Sequence, residues 1–238
     1  MPALAYRRIR EPSLQNSNPV KLGRGKAVQT SDQVKEYMLC FPCEQRFSAA
    51  EAYVAPLVRQ PDGSSGLEAM LSNYEATPYG WHTAKATDLD RAKVFYFAAS
   101  VFWRSHASHL PDRCELGAKY GEAFRAFLNE ETQRPADAAI MLMVYERAPA
   151  AAGRVDRLLT LPASRRADRY HRHQFLMCGL RFDAAVGAEV PDSLHAGCLL
   201  QPHETRILVV PQSDDTANVL ALLRSSRPTD RLAATLLK

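Results

Sequence analysis

The sequence predicts an α+β fold, with an N-terminal zinc-knuckle-like segment, central helices and a C-terminal, mostly antiparallel sheet. Three observations predict it. Apolar residues between Phe47 and Leu128 recur at helical spacing. After Pro135 the apolar runs shorten to strand length and are separated by turn-forming residues. A Cys40-x-x-Cys43 pair stands at the entry to this order. Helices followed by strands, rather than strict alternation, is the signature of an α+β chain.

Residues 1–33 hold scattered Pro, Asn, Ser and Gly without a sustained period, and are expected to form an irregular basic arm. Within it, Gly23-Arg24-Gly25-Lys26 lacks the spacing and the Lys-Ser/Thr ending of a phosphate-binding loop, so it reads as a turn. Residues 44–59 read as a helix. Its expected capping pair is Ser48 and Glu51, and its apolar stripe is Phe47, Ala50, Val54 and Leu57. The stretch 60–66, with Pro61, Asp62, Gly63 and Gly66, is a loop and the expected boundary. It divides a basic arm, knuckle and following helix (1–60) from an α+β domain (67–238).

In that domain the helices are expected across about 87–131 and the strands across about 138–210. The first helix runs from a Thr87 cap, with Asp90 three residues on, to about His106. From Val94 to Trp103 it is apolar on nearly every face, which puts it at the centre of the core. The next spans 116–131, with Tyr120, Phe124, Phe127 and Leu128 in register, and Pro135 stops it. Strands are expected at 139–146, 155–161, 170–186 with a break at Gly179, and 205–210. Short helices are expected near 216–224 and 229–237.

With 238 residues, 46% hydrophobic and 24% charged, the chain can bury a sizeable core; these values exclude a chain disordered throughout, a collagen and a coiled coil. The apolar stretch 94–103, interrupted only by Ser100, is about half of the ~20 residues that span a bilayer. Arg7, Arg8 and Arg10 precede no apolar segment, so no secretory signal is read and a cytoplasmic protein without a membrane partner is expected. Five cysteines, an odd number, argue against a disulfide framework. Residues 1–35 carry seven Lys/Arg against Glu11 and Asp32, a net +5 that leaves −1 for the rest of a +4 chain. Arg7, Arg8, Arg10, Lys21, Arg24 and Lys26 are therefore the candidate contacts to DNA or RNA phosphates, a solvated tail being the plainer reading.

The sharpest chemical feature is Cys40-x-x-Cys43, because two intervening residues let a turn aim both sulfurs at one tetrahedral zinc. One pair is half a site. His106, His109 and Cys114 are the candidates to complete it; ligands from outside the chain, or two ordinary reduced thiols, are the other readings. A redox role is disfavoured because no thioredoxin-like βαβ pattern follows. His171-x-His173 would project two imidazoles from one face of a strand. Arg165, Arg166, Arg169 and Arg172 around it oppose a metal and suit a solvated face or a polyanion contact. Arg104, at the end of the apolar helix, needs an acid; Glu44, Glu51 and Asp112 are the candidates. A nucleophile elbow, a dinucleotide fingerprint and a His-Glu-x-x-His motif are all absent.

The run Glu36-Tyr-Met-Leu-Cys-Phe-Pro-Cys-Glu-Gln-Arg-Phe-Ser, continuing to Glu51-Ala-Tyr-Val, resembles a group of poorly characterised bacterial proteins described as HNH-endonuclease-like. Their pattern is a leading Cys-x-x-Cys, a Ser-His-Ile-Ile-Pro, and then Leu-Cys-x-x-Cys-Glu-x-x-Phe/Leu-Ser. Phe97-Ala-Ala-Ser-Val-Phe-Trp-Arg-Ser is similar to their Leu-Ser-x-Leu-Trp-Arg-Ala-Ser segment, and Leu116-Gly with Phe124-Arg-Ala-Phe-Leu extends the likeness. The resemblance implies a ββα-metal nuclease hairpin with a His that activates water, and a structural zinc held by paired knuckles. The segment Met1-Pro-Ala-Leu-Ala-Tyr is similar to the residues following that Ser-His, so the first knuckle and the general-base His would lie upstream of Met1. The expectation is an HNH-like nucleic-acid-processing or defence-associated protein, catalytically incomplete as it stands, with zinc on Cys40 and Cys43. The alternative is a non-catalytic interaction or regulatory protein. A homodimer or a protein partner is compatible with either.

Overall fold

A computed structural model describes residues 5–6, 9, 18–23, 25–33, 36, 38–60, 64–78, 80–111, 113–146, 158–200, 206–211, 217, 221–222 and 224–229. In chain order the elements are β1 (Val20–Gly23), β2 (Lys26–Gln29), α1 (Phe41–Val54), α2 (Gly66–Met70), β3 (Leu71–Ala76), β4 (His82–Ala86), α3 (Arg91–Ala107) and α4 (Gly117–Leu128). There follow β5 (Ala138–Tyr145), β6 (Ala163–Ala167), β7 (Tyr170–Met177), β8 (Leu180–Val186), α5 (Asp192–Ala196), β9 (Arg206–Val210) and β10 (Arg227–Pro228). The chain is thus α+β. Seven strands form one sheet in the order β3-β4-β9-β5-β8-β7-β6, and β1, β2 and β10 form a small one. In the large sheet every pairing is antiparallel except β5 with β9.

Helix α3 occupies the centre, as its composition demands. Val94, Phe95, Phe97, Ala98, Ala99, Val101 and Phe102 are buried, because a helix apolar on most faces must be covered on most faces. On one side Phe97 and Phe102 meet the sheet: Phe102 lies 5.1 Å from Phe175, Phe97 lies 5.6 Å from Phe182, and Phe175 and Phe182 stack at 4.7 Å. On the other side Phe47 of α1 packs edge-on against Tyr96 and Trp103, and Phe127 of α4 against Phe95. The result is sheet, α3, and an outer layer of α1 and α4.

The helix begins one turn later than Thr87 suggests. Asp90 is the cap, its carboxylate accepting from the Lys93 N–H at 3.1 Å. Ser48 and Glu51 do not cap a helix either. They lie inside α1, which starts at Phe41 behind Cys40, and Glu51 is engaged by Arg104 instead. The expected break at Gly179 is a two-residue hairpin: Cys178 (φ +48°) and Gly179 (φ +86°) link the Met177–Leu180 pair, and positive φ at both central positions suits the right-handed twist of the strands.

The 60–66 loop is clasped at both ends. Buried Arg59 pairs with Glu68, the Ser65 hydroxyl donates to the Leu57 carbonyl at 2.8 Å, and Leu57 and Leu67 share one core cluster. Six strands escape the sequence reading. β1 and β2 lie in the arm expected to be irregular, β3 and β4 lie in a polar stretch, β6 follows the run expected at 155–161, and β10 falls between the two expected short helices. Of the strand expected at 155–161, Leu159 makes an isolated bridge to Met177, while 155–157 lie outside the described residues. The short helices expected near 216–224 and 229–237 fall largely outside them too.

Candidate functional site

Cys40 is the N-cap of α1, in extended conformation, and Pro42 sits in the first turn, where its missing N–H and fixed φ cost nothing. One turn of helix then brings Cys43 back beside it, with the two sulfurs 3.3 Å apart. Cys40 is exposed and Cys43 half-buried. The Cys43 sulfur accepts from the Arg46 guanidinium at 3.4 Å, and Arg46 also donates to Asn129 Oδ1 at 3.3 Å, at the end of α4. The Cys43 amide faces the Cys40 sulfur without closing a regular cap hydrogen bond. That amide first, then the Cys43 thiol, holds the Cys40 thiol below its ordinary value.

The platform under this pair is rigid. Arg104 reaches across from α3, its Nη2 donating to Glu51 Oε1 at 2.8 Å while its guanidinium lies over the Phe47 ring at 5.3 Å. The sequence expectation that Arg104 is paired, with Glu51 among its candidate partners, holds.

Tetrahedral zinc with Zn–S bonds of about 2.3 Å separates two sulfurs by about 3.8 Å, so the pair could close on a metal with a small adjustment. It supplies two ligands. Among the described residues no group of three or more His, Cys, Asp or Glu is gathered to hold a metal. The side chains of two candidate completions, His106 and Cys114, are engaged elsewhere, and His109 is held through its backbone. His106 Nδ1 accepts from the Leu116 N–H at 3.3 Å, and its ring lies so close to Gly121 that a Cβ there would fall 2.3 Å from Nε2. The His109 amide donates to the Glu36 carboxylate. Cys114 is buried with its sulfur 3.2 Å from His173 Nδ1.

That last contact belongs to a cluster the sequence reading missed. His171 and His173 do share one face of β7, their rings parallel and 6.4 Å apart, but His173 is fully buried rather than solvated. Its Nδ1 lies 2.8 Å from Ser164 Oγ as well as 3.2 Å from Cys114, and its Nε2 has no hydrogen-bond partner among the described residues. Burial pushes the Cys114 thiol up to about 12; burial first, then His171 and His106, pushes His173 down to about 4. Burial favours the neutral form of both groups, so the pair reads as a packed polar contact.

No family model, curated protein or solved structure matches the chain.

Charge is the remaining observation. The strand register places Lys21, Gly23, Lys26 and Val28 on one face of the hairpin, with Leu22 and buried Ala27 on the other. Arg227 of β10 stands directly beside Lys26. Lys21, Lys26 and Arg227 are all exposed, so the part of the arm that is described is an ordered cationic face. Arg7, Arg8, Arg10 and Arg24 lie outside the described residues. On the large sheet's face away from α3, Arg165 stands opposite Arg172, and the buried Asp183 carboxylate accepts from Arg172 Nη2 at 2.8 Å and from Arg181 Nε at 2.9 Å. No described helix is long and apolar enough to cross a membrane.

Proposed function

We propose that the protein is an HNH-like nucleic-acid-processing or defence-associated protein that binds nucleic acid through the cationic face of its small sheet. The observation that carries the reading is the shared exposure of Lys21, Lys26 and Arg227 on one face, opposite buried Ala27. Side chains projecting from a paired strand hold their charges at fixed spacing, which a solvated tail does not, and phosphate neutralisation rewards that order. Zinc on Cys40 and Cys43 would take its other two ligands from outside the described residues or from a second copy of the chain.

The test is binding of labelled duplex and single-stranded DNA and of RNA between 50 and 200 mM salt. Affinity should fall as salt rises. The triple variant Lys21→Ala, Lys26→Ala, Arg227→Ala should reduce the slope of log K against log salt by about 2 to 3, since each lost phosphate contact removes about 0.7 to 0.9. Absence of binding at the lowest salt, or affinity indifferent to salt, refutes the reading and leaves the non-catalytic interaction protein in its place.

A further inference from the structure

We propose that Cys40 and Cys43 are a reversible dithiol–disulfide couple, with exposed Cys40 as the sulfur that exchanges with external disulfides and Cys43 as the one that resolves the mixed disulfide. The proposal is independent of nucleic-acid binding. Its ground is geometric. The sulfurs stand 3.3 Å apart, closer than zinc would hold them, and nothing among the described residues completes a metal site around them. Residues three apart at a helix start have Cα atoms about 5 Å from each other, inside the window a disulfide requires, so the bond can close without moving the backbone.

The two cysteines are also differentiated in the way exchange chemistry needs. Cys40 is open to solvent at the helix N-terminus, and its neighbour Phe41 is 72% exposed, so a substrate disulfide can approach it. Cys43 is half-buried, its sulfur covered by the Arg46 guanidinium at 3.4 Å, so it is shielded from external disulfides but stands beside Cys40. Cys114, Cys178 and Cys198 are buried and lack this access.

The steps balance. The Cys40 thiolate attacks one sulfur of an external disulfide, forming a Cys40 mixed disulfide and expelling the other half as a thiolate that takes up a proton. Cys43, giving up its proton, then attacks the Cys40 sulfur; the Cys40–Cys43 bond forms and the second substrate thiol leaves. The protein dithiol has lost two electrons and two protons, and the substrate disulfide has become two thiols.

Oxidised glutathione is the probe, applied to the full chain after chelation of bound metal and, in parallel, without chelation. The wild-type protein should lose two hydrogens in mass, with a Cys40–Cys43 cross-linked peptide on digestion. Cys43→Ser should instead retain one glutathione on Cys40, and Cys40→Ser should retain about tenfold less, since its remaining exchangeable sulfur is shielded. Circular dichroism confirms that each variant is folded. A chelated wild-type chain that keeps both thiols through a large excess of oxidised glutathione overturns the proposal. So does a glutathione adduct in Cys43→Ser that falls on Cys114, Cys178 or Cys198 instead of Cys40. Exchange only after chelation supports the couple and shows that metal masks it.

Discussion

His173 links the stability of the fold to pH. In the folded chain burial first, and then the neighbouring His171 and His106, push it down to about 4, so it stays neutral above that pH. Unfolded, the same imidazole takes a proton near pH 6.5. Between these values the unfolded state binds more protons, so stability falls as pH falls through the window and levels off below about 4. The expected loss is about 3 kcal/mol. Denaturant unfolding at pH 7, 6, 5 and 4 reads it directly. His173→Gln should flatten the curve across this range; a native protein whose stability is unchanged from pH 6.5 to 4.5 would show that His173 takes up its proton in place. The His-x-His spacing was visible in the sequence, but not the burial. Exposed Arg165 and Arg166 and partly buried Arg172 flank it in sequence and register, and composition alone therefore argues for a wet strand.

At the scale of elements, what was legible followed from period and what was not followed from partners. Helix α3 announced itself because ten nearly continuous apolar residues have nowhere to go but the centre. Helix α4 did so because Tyr120, Phe124, Phe127 and Leu128 fall on one face. Strands β3 and β4 did not. Their exposed Glu75 and Tyr74 and partly buried Thr83 and Lys85 carry no alternation strong enough to read, and they exist because β4 pairs with β9, more than a hundred residues away. The Ser48–Glu51 pattern misled for a related reason. Glu51 serves a tertiary contact, the ion pair to Arg104 that fastens α1 on α3. Both side chains are about one-fifth exposed, so removing one leaves a largely desolvated charge. Arg104→Ala should cost about 1 to 3 kcal/mol through the lost hydrogen bonds and the lost cover over Phe47. Because α1 carries the thiol pair, the same variant should also raise the rate at which Cys43 is alkylated. Unchanged unfolding midpoints would mean that aromatic packing alone docks α1.

At the scale of the molecule, two cationic surfaces among the described residues are built differently. On the small sheet, Lys21, Lys26 and Arg227 stand exposed without an acid paired to them among the described residues. On the large sheet, Arg172 and Arg181 are tied to a carboxylate that is 1% exposed, and Arg165 stands directly opposite Arg172. A like-charge pair facing across an antiparallel ladder costs about 0.2 to 1 kcal/mol. Replacing Arg165 by Glu turns that repulsion into attraction and should raise the unfolding free energy by a similar amount, with polyanion affinity and its salt slope left as they were. The pairing explains the difference. Arg172 and Arg181 share the one buried Asp183 carboxylate, which partly offsets their charge and fixes their guanidiniums, whereas the small sheet's cations have their full charge available. Thermal melts and salt-dependent anisotropy on the one variant decide it. If Arg165→Glu stabilises the chain but abolishes binding, the phosphate-contacting surface is the large sheet, and the arginines there are kept close at the expense of stability for the sake of the ligand.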